Sequence, residues 1–332
     1  MAHQQSNHLR RVALIGGSGS VGSHILKSLL EAEKHEVTVL TRPESTAIFP
    51  TGATIIKVDY SSSTNITTAL QGHDFLIITL GVTSPPDLHF RIVTAAAEAG
   101  VKYIMPNYYA FALSERTGSV PDNPLLNGFG KYIQDVKDVQ EKGFDVKYVA
   151  MCCGFWYEFS LGMGESWFGF DIENRKVTFY DNGDTKVNVS TWELCGKAAA
   201  AILSLPVDKD ANGKPALQDW ADSGLYIASF LVSQHDMLRS LHRVLGTTDA
   251  DWTITYQPAE ERYEEGIKAL KDGDRTGFAK AMYAKVFYPK GLGDYETEFG
   301  LDNAKLGLED ESLDKATRRA VQMVEGGFGT GK

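Results

Sequence analysis

Arg11-Val12-Ala13-Leu14-Ile15-Gly16-Gly17-Ser18-Gly19-Ser20-Val21-Gly22 is the stretch whose reading decides the fold. A short apolar run enters four glycines and leaves them as an amphipathic segment. A tight turn of this kind lets backbone N–H groups approach a phosphate, and a helix starting there adds its partial positive charge to the same anion. The glycines fit G-x-x-G-x-x-G through Gly16, Gly19 and Gly22, and G-x-G-x-x-G through Gly17, Gly19 and Gly22. Glycine turns between strands and helices also arise for packing alone, so the flanking pattern carries the decision.

That pattern is favourable. Val12 to Ile15 is continuously apolar, as a strand buried on both faces of a parallel sheet requires. Val21, Ile25 and Leu29, with Leu26 and Leu30 beside them, repeat at helical spacing, and a second strand follows at Glu36 to Leu40. The unit reads as β-α-β with a dinucleotide's pyrophosphate at its turn. At the tip of the second strand stands Thr41-Arg42-Pro43, with no carboxylate to bond an adenosine 2′-hydroxyl. A guanidinium there suits a 2′-phosphate, so NADP (NADPH) is the cofactor expected; the plainer reading of Arg42 is a solvated loop arginine.

The strand pattern continues. Thr54 to Val58, Phe75 to Thr79, Lys102 to Met105 and Val146 to Cys152 read as further strands, alternating with helices near 65–70, 87–100 and 129–142. Five or six strands in this alternation predict an α/β, doubly wound parallel sheet. The loop Leu80-Gly81-Val82-Thr83-Ser84-Pro85-Pro86 then falls at the carboxyl edge, where ligands bind. Ser84 and Asp87 have the spacing of a capping box for the helix that follows. Lys176–Tyr180 and Lys186–Val189 flank Asp181-Asn182-Gly183-Asp184 and predict a hairpin. A helix with a run of alanines is expected from Trp192 to Leu203. Further on, strands near Leu225–Ser229 and Trp252–Tyr256, and helices near Gln234–Leu245, Glu260–Lys271 and Gly277–Phe287, lead to a glycine-rich, frayed tail at 325–332. The division expected is a nucleotide-binding domain over 1–155, with 186–232 returning to it, and a smaller C-terminal α/β substrate-binding region from 156–185 and 233–332.

Composition bounds the function classes. With 332 residues, a formal net charge of −10 and a pI near 5.3, the chain is not expected to bind nucleic acid non-specifically or anionic membranes, though a local basic patch can still hold an acidic cofactor. Its 3 cysteines, two adjacent at Cys152-Cys153, give no disulfide framework and no zinc-ligand spacing, and read as buried thiols. The polar first ten residues and the absence of a long apolar run predict a soluble, cytoplasmic protein. His89, His235 and His242 have no metal-like spacing and read as surface or capping residues, so no metal is expected. The expected partner is a small molecule; an oligomer is compatible with the sequence but not indicated by it.

No tyrosine in the chain has a lysine four residues on, so the common Tyr-x-x-x-Lys dyad of short-chain dehydrogenases is missing. The chain nonetheless resembles an atypical branch of that group, the NmrA-like, isoflavone-reductase-like family. The likeness rests on the glycine loop and Thr41-Arg42, on Ala95-Ala96-Ala97-Glu98-Ala99-Gly100-Val101-Lys102-Tyr103, on Gly154-Phe155 and on Ser190-Thr191-Trp192-Glu193-Leu194, in the family's order. The resemblance implies a Rossmann sheet, NADPH as cofactor, and a lysine near the nicotinamide on the helix before strand six. Lys131, in Gly128-Phe129-Gly130-Lys131-Tyr132, matches that lysine. Where plant reductases of the family carry Pro-Ser-Glu-Phe-Gly after strand five, this chain has Pro106-Asn107-Tyr108-Tyr109-Ala110, which makes Tyr108 a second candidate proton donor or substrate anchor.

The candidate cofactor-binding residues are thus Gly16, Ser18, Gly19, Ser20, Val21, Gly22, Arg42, Leu80, Gly81, Lys131 and Phe155. Lys131 and Tyr108 are the catalytic candidates. Lys131 either protonates a developing alkoxide or enolate or holds the nicotinamide ribose, the first role being helped by desolvation in an apolar pocket; the plain alternative is a surface lysine. Tyr108, Trp156 and Tyr157, with Phe159, Trp167 and Phe168, either line a pocket for an aromatic ligand or belong to the core. The function expected is an NADPH-dependent reductase that transfers hydride to a C=O or activated C=C of a small aromatic or polyketide-like molecule. The alternatives are an NADP(H)-sensing regulator acting through protein partners, and an isomerase or cyclase on the same scaffold.

Overall fold

Every second residue of the first strand faces the same side of a sheet that is covered on both sides. In the computed structural model, which describes residues 7–113, 124–288 and 293–328, Ala13 and Ile15 join one buried cluster and Val12 and Leu14 the other. The fourth strand divides likewise, Leu76 and Ile78 to one face and Phe75 and Ile77 to the other. Such strands need apolar residues at every position, which is why their sequences do not alternate.

The strands are β1 (Arg11–Ile15), β2 (Glu36–Thr41), β3 (Thr54–Lys57), β4 (Phe75–Ile78), β5 (Tyr103–Met105), β6 (Tyr109–Ala110), β7 (Lys147–Cys152), β8 (Phe155–Trp156), β9 (Phe170–Asp171), β10 (Lys176–Tyr180), β11 (Val187–Ser190), β12 (Ser223–Tyr226), β13 (Phe230–Val232) and β14 (Thr253–Gln257). The helices are α1 (Ser20–Ala32), α2 (Ser63–Leu70), α3 (Leu88–Glu98), α4 (Pro124–Glu141), α5 (Tyr157–Gly162), α6 (Trp192–Leu203), α7 (Gln234–Leu245), α8 (Ala259–Lys271), α9 (Thr276–Val286), α10 (Glu296–Phe299) and α11 (Leu313–Glu325). The main sheet runs β12-β7-β5-β4-β1-β2-β3, all parallel, with β6 alongside β7. Strand order reverses between β1 and β4, and that switch point is where an open α/β sheet leaves a crevice.

Helices α1 and α6 cover one face together. A Cβ on Gly196 of α6 would stand 2.4 Å from the His24 carbonyl oxygen of α1, so only glycine allows this approach. The alanines of α6 pack in the cluster that holds Val12 and Leu14. Helices α2, α3 and α4 lie on the other face. No helix among the described residues is long and apolar enough to cross a membrane. All three cysteines are buried and unpaired.

Two local expectations are corrected. Lys176–Tyr180 and Lys186–Val189 do not form a hairpin: β10 pairs with β9 and, in parallel, with β14, whereas β11 pairs with β8 and β13. The turn between them is anchored elsewhere, since Asp181 N–H donates to the Gln257 carbonyl at 2.9 Å and Asp181 Oδ1 accepts from Ala259 N–H at 3.0 Å. Ser84 and Asp87 form no capping box, because the Asp87 carboxylate accepts from Arg91 Nε at 2.8 Å instead. An unexpected helix, α11, buries Ala316, Thr317, Ala320 and Val321. The frayed tail expected at 325–332 is described only as far as residue 328; the rest lies outside the described residues, as do residues 1–6.

Candidate functional site

The glycine loop is welded to the end of β4. Gly16 has φ +83°, and a Cβ on it would lie 2.0 Å from the Thr79 carbonyl oxygen. On Gly22 a Cβ would meet Gly16 O at 2.3 Å. Thr79 ties the two strands together, its N–H and its Oγ1 both donating to the Ile15 carbonyl, at 2.9 and 2.8 Å. This contact sets the first turn of α1 at the switch point. Its N-cap is Gly19, with no side-chain cap and no acidic residue in the first turn, so its leading N–H groups and their positive end remain available to an anion.

Here lies a groove of about 370 Å³. Gly16, Ser18 and Gly19 form its floor, Arg42 and Tyr60 one wall, and Thr79, Leu80 and Gly81 the other. The Arg42 side chain is 72% exposed and pairs with Glu44, Nε to Oε1 at 3.4 Å. Its loop is held by Lys57, whose Nζ donates to the carbonyls of Pro43 and Ser45 at 2.7 and 3.1 Å. Tyr60 donates its hydroxyl to the Leu40 carbonyl at 3.0 Å, presenting its ring to the groove. Sequence reading missed Tyr60; the available signal is its place just past β3 at the carboxyl edge of the sheet.

Leu80 is fixed through both of its backbone polar groups. Its N–H donates to Asn107 Oδ1 at 2.8 Å and its carbonyl accepts from Asn107 Nδ2 at 3.2 Å. Behind Asn107 stands His89, which corrects the reading of that residue as a surface or capping histidine: it is 2% exposed and paired with Asp135 at 2.7 Å.

The remaining candidates do not converge on the groove. Ser20, Val21 and Gly22 open α1, Val21 with its side chain in the core. Lys131 is exposed on α4 and reaches the Pro86 carbonyl, Nζ to O at 2.5 Å, one residue from the groove-lining Pro85. It stands on the rim instead of in the apolar pocket expected for it. Tyr108 is corrected from a cleft residue to a core residue: it is buried, its hydroxyl donates to the Phe111 carbonyl at 2.8 Å, and burial holds its phenol well above the usual range. Phe155 is buried against Phe111, Phe168 and Tyr283. Tyr157 is likewise corrected to a core residue, its hydroxyl bonded to Thr317 Oγ1 at 2.7 Å.

Trp156 is half-buried beside Phe159 and Trp192, with ring centroids 6.2 and 6.3 Å away. Next to it is a residue that sequence reading did not single out. Glu158 is buried, and that burial pushes its carboxyl up to about 7. Its Oε1 accepts from Trp192 N–H at 3.3 Å and lies 3.7 Å from Arg319 Nε, whereas Oε2 has no hydrogen-bond partner among the described residues. A lone glutamate after three aromatics carries no periodic signal that would have found it.

A family model described as NAD(P)H-binding matches residues 16–147. Oxidoreductase aprR of Aspergillus flavus is 25% identical over 292 residues, covering 86% of this chain and 91% of that protein. Oxidoreductase BOA1 of Botryotinia fuckeliana is 32% identical over 210 residues, covering 59% of this chain and 67% of that protein. Among solved structures, AtPrR2 with NADP+ and (+)pinoresinol superposes with a TM-score of 0.72 at 17% identity, over 94% of this chain and 98% of that one. The chain belongs to the NmrA-like, isoflavone-reductase-like family.

The groove's floor, its helix terminus and its β4 wall all fall inside the span matched by the NAD(P)H-binding model. In this member of the NmrA-like, isoflavone-reductase-like family the β4 wall is held by Asn107. Asn107 occupies the place of the serine in the plant reductases' Pro-Ser-Glu-Phe-Gly. Its amide, with an acceptor oxygen and a donor nitrogen, bonds both backbone groups of Leu80.

Proposed function

We propose that the protein is an NADPH-dependent reductase acting on a C=O or activated C=C of a small aromatic or polyketide-like molecule. The observation that carries this reading is the groove itself, which sets the uncapped N-terminus of α1 opposite the exposed head of Arg42. The residues fit a dinucleotide. Gly16, Ser18 and Gly19 leave room for a pyrophosphate, and Ser20 opens the helix whose positive end faces it. Arg42 would take the adenosine 2′-phosphate through paired charge-assisted hydrogen bonds. Leu80 and Gly81, on the opposite wall, lead toward the rim where Lys131 is tethered.

When bound, the cofactor supplies a hydride, and each turnover then needs one proton. Lys131 is the ionisable group that the rim provides for it. Its ammonium would donate to the oxygen or carbon that becomes electron-rich as the hydride arrives, and recover a proton from bulk water. Of the substrate candidates Tyr108, Trp156 and Tyr157, only Trp156, at the end of β8, is not buried, and it would supply the aromatic contact. The aromatic class draws support from the pinoresinol held by AtPrR2.

The test is loss of NADPH absorbance in a stopped-flow instrument with a panel of aromatic ketones, enones and quinones. Turnover by the wild type, with kcat lowered about 100-fold or more in Lys131→Met and NADPH affinity retained, would support the reading. Turnover unchanged in that variant would remove Lys131 as the donor. Tight NADPH binding without oxidation across the panel, together with a stoichiometric co-purifying protein, would favour a regulator instead.

A further inference from the structure

We propose that His89 and Asp135 are positioning residues for the cofactor groove, which hold the Leu80-Gly81 wall in place through Asn107 and do so only while the His89 ring is neutral. The inference deepens the reading of the groove as an NADPH site and rests on it. Four hydrogen bonds in series make the argument. Asp135 Oδ2 lies 2.7 Å from His89 Nδ1, His89 Nε2 lies 3.2 Å from the backbone nitrogen of Asn107, and the Asn107 side chain clasps Leu80 N–H and C=O.

The direction of each bond follows from chemistry. A backbone N–H can only donate, so Nε2 must offer its lone pair to Asn107. The proton of the neutral ring is therefore on Nδ1, where it donates to the Asp135 carboxylate. The pair is buried, His89 at 2% and Asp135 at 6% exposure, and closed off by the Tyr132 ring, edge-on at 4.7 Å. Among the described residues the ionisable groups around the ring, Asp135, Lys131 and Tyr132, all sit on α4. Helix α2, packed on the other side of α3, has no ionisable residue, and the loop after β5 presents the uncharged Asn107.

A second proton on the ring would turn Nε2 into a donor facing another donor. The attraction to Asn107 N–H then becomes a repulsion, and the clasp on Leu80 loses its support. Burial opposes that proton and holds the imidazole below its usual range, an effect that the Asp135 carboxylate partly offsets. The relay is thus sound at neutral pH and fails on acidification.

The test compares wild type, His89→Gln and Asp135→Asn. The glutamine oxygen replaces Nε2 as an acceptor and cannot take up a proton. NADP+ affinity is measured by calorimetry from about pH 8 to about pH 5, and the exchange protection of the Leu80 amide is followed in the cofactor-free protein. Titration of the NADP+ phosphates is common to all three proteins, so the ratio of dissociation constants isolates the relay. That ratio, wild type to His89→Gln, is expected to be near one at the upper pH and about tenfold at the lower. Leu80 protection is expected to fall with pH in the wild type and to hold in His89→Gln.

Identical pH profiles for wild type and His89→Gln in both measurements would overturn the proposal. A pH-dependent Leu80 amide in a protein that binds NADP+ at no pH would leave the relay standing and remove the cofactor reading. If His89→Gln does not fold, Asp135→Asn decides. Without the carboxylate charge the wild-type transition is expected to move to lower pH, and an unmoved midpoint would overturn the proposal.

Discussion

Gly22 lies against Thr79 so closely that a Cβ on the glycine would stand 2.6 Å from the threonine hydroxyl. That hydroxyl is already committed to the Ile15 carbonyl, so it cannot turn aside without giving up a bond. Replacing Gly22 with alanine is expected to lift α1 away from β4, cost about 1–3 kcal/mol of stability and weaken NADPH binding at least tenfold. Chemical denaturation and a fluorescence titration with NADPH would show both effects together.

Arg42 is expected to govern the choice between NADPH and NADH. Arg42→Ala removes the guanidinium from the groove wall but leaves the glycine floor intact. NADPH affinity should fall about 10- to 100-fold while NADH affinity changes little. Dissociation constants for the two cofactors, measured side by side at one ionic strength, check this.

Tyr108→Phe separates a structural phenol from a catalytic one. Loss of the hydroxyl strands the buried Phe111 carbonyl, for an expected cost of about 1–2 kcal/mol in unfolding free energy. The maximal turnover rate should stay within about twofold of wild type, because the phenol does not face the groove. A hundredfold loss of turnover in a folded variant would show that Tyr108 does donate the proton.

Glu158 gives the protein a pH-dependent liability of definite sign. In the folded chain the carboxyl keeps its proton up to about 7, whereas the unfolded chain releases it near the ordinary glutamate value. The folded state therefore binds more protons between those limits. The stabilisation this proton provides is complete below the unfolded value and is lost as pH rises through about 7. Glu158→Gln, always neutral, is expected to be about 1–3 kcal/mol more stable than wild type near pH 8 and similar to it near pH 4, measured by denaturation at the two pH values.

How much of this was legible in the sequence varied with the kind of physics involved. β1 and β4 announce themselves because burial on both faces demands unbroken apolar runs, and the glycine loop because its backbone tolerates no side chain at Gly16. Arg42 and the Leu80-Gly81 wall follow from the position of strand ends. Contacts between segments distant in sequence left no such mark. The turn at Asp181 looks like a hairpin tip until β14 is seen to claim β10 from more than seventy residues away. His89 looks like any helical histidine until Asp135 and Asn107 close around it. Helix α11 did carry a signal, with Leu313, Ala316, Ala320, Val321 and Val324 at helical spacing behind an N-cap at Ser312 and charged residues on the other face, and sequence reading passed over it.

Placing β12 at the edge of the main sheet beside β7, and α6 across α1, bears on how the chain is made. A nascent protein that has just emitted β7 has all the groove's residues yet has only α1 over one sheet face and lacks the neighbour of an edge strand. Val12, Leu14, Phe75 and Ile77 then remain without α6 over them until residue 203 has been added, and β7 without β12 until residue 226. The cofactor cradle is thus encoded early and finished late. Apolar sheet surface waits in the open during synthesis, where a chaperone, or premature association with another chain, can reach it.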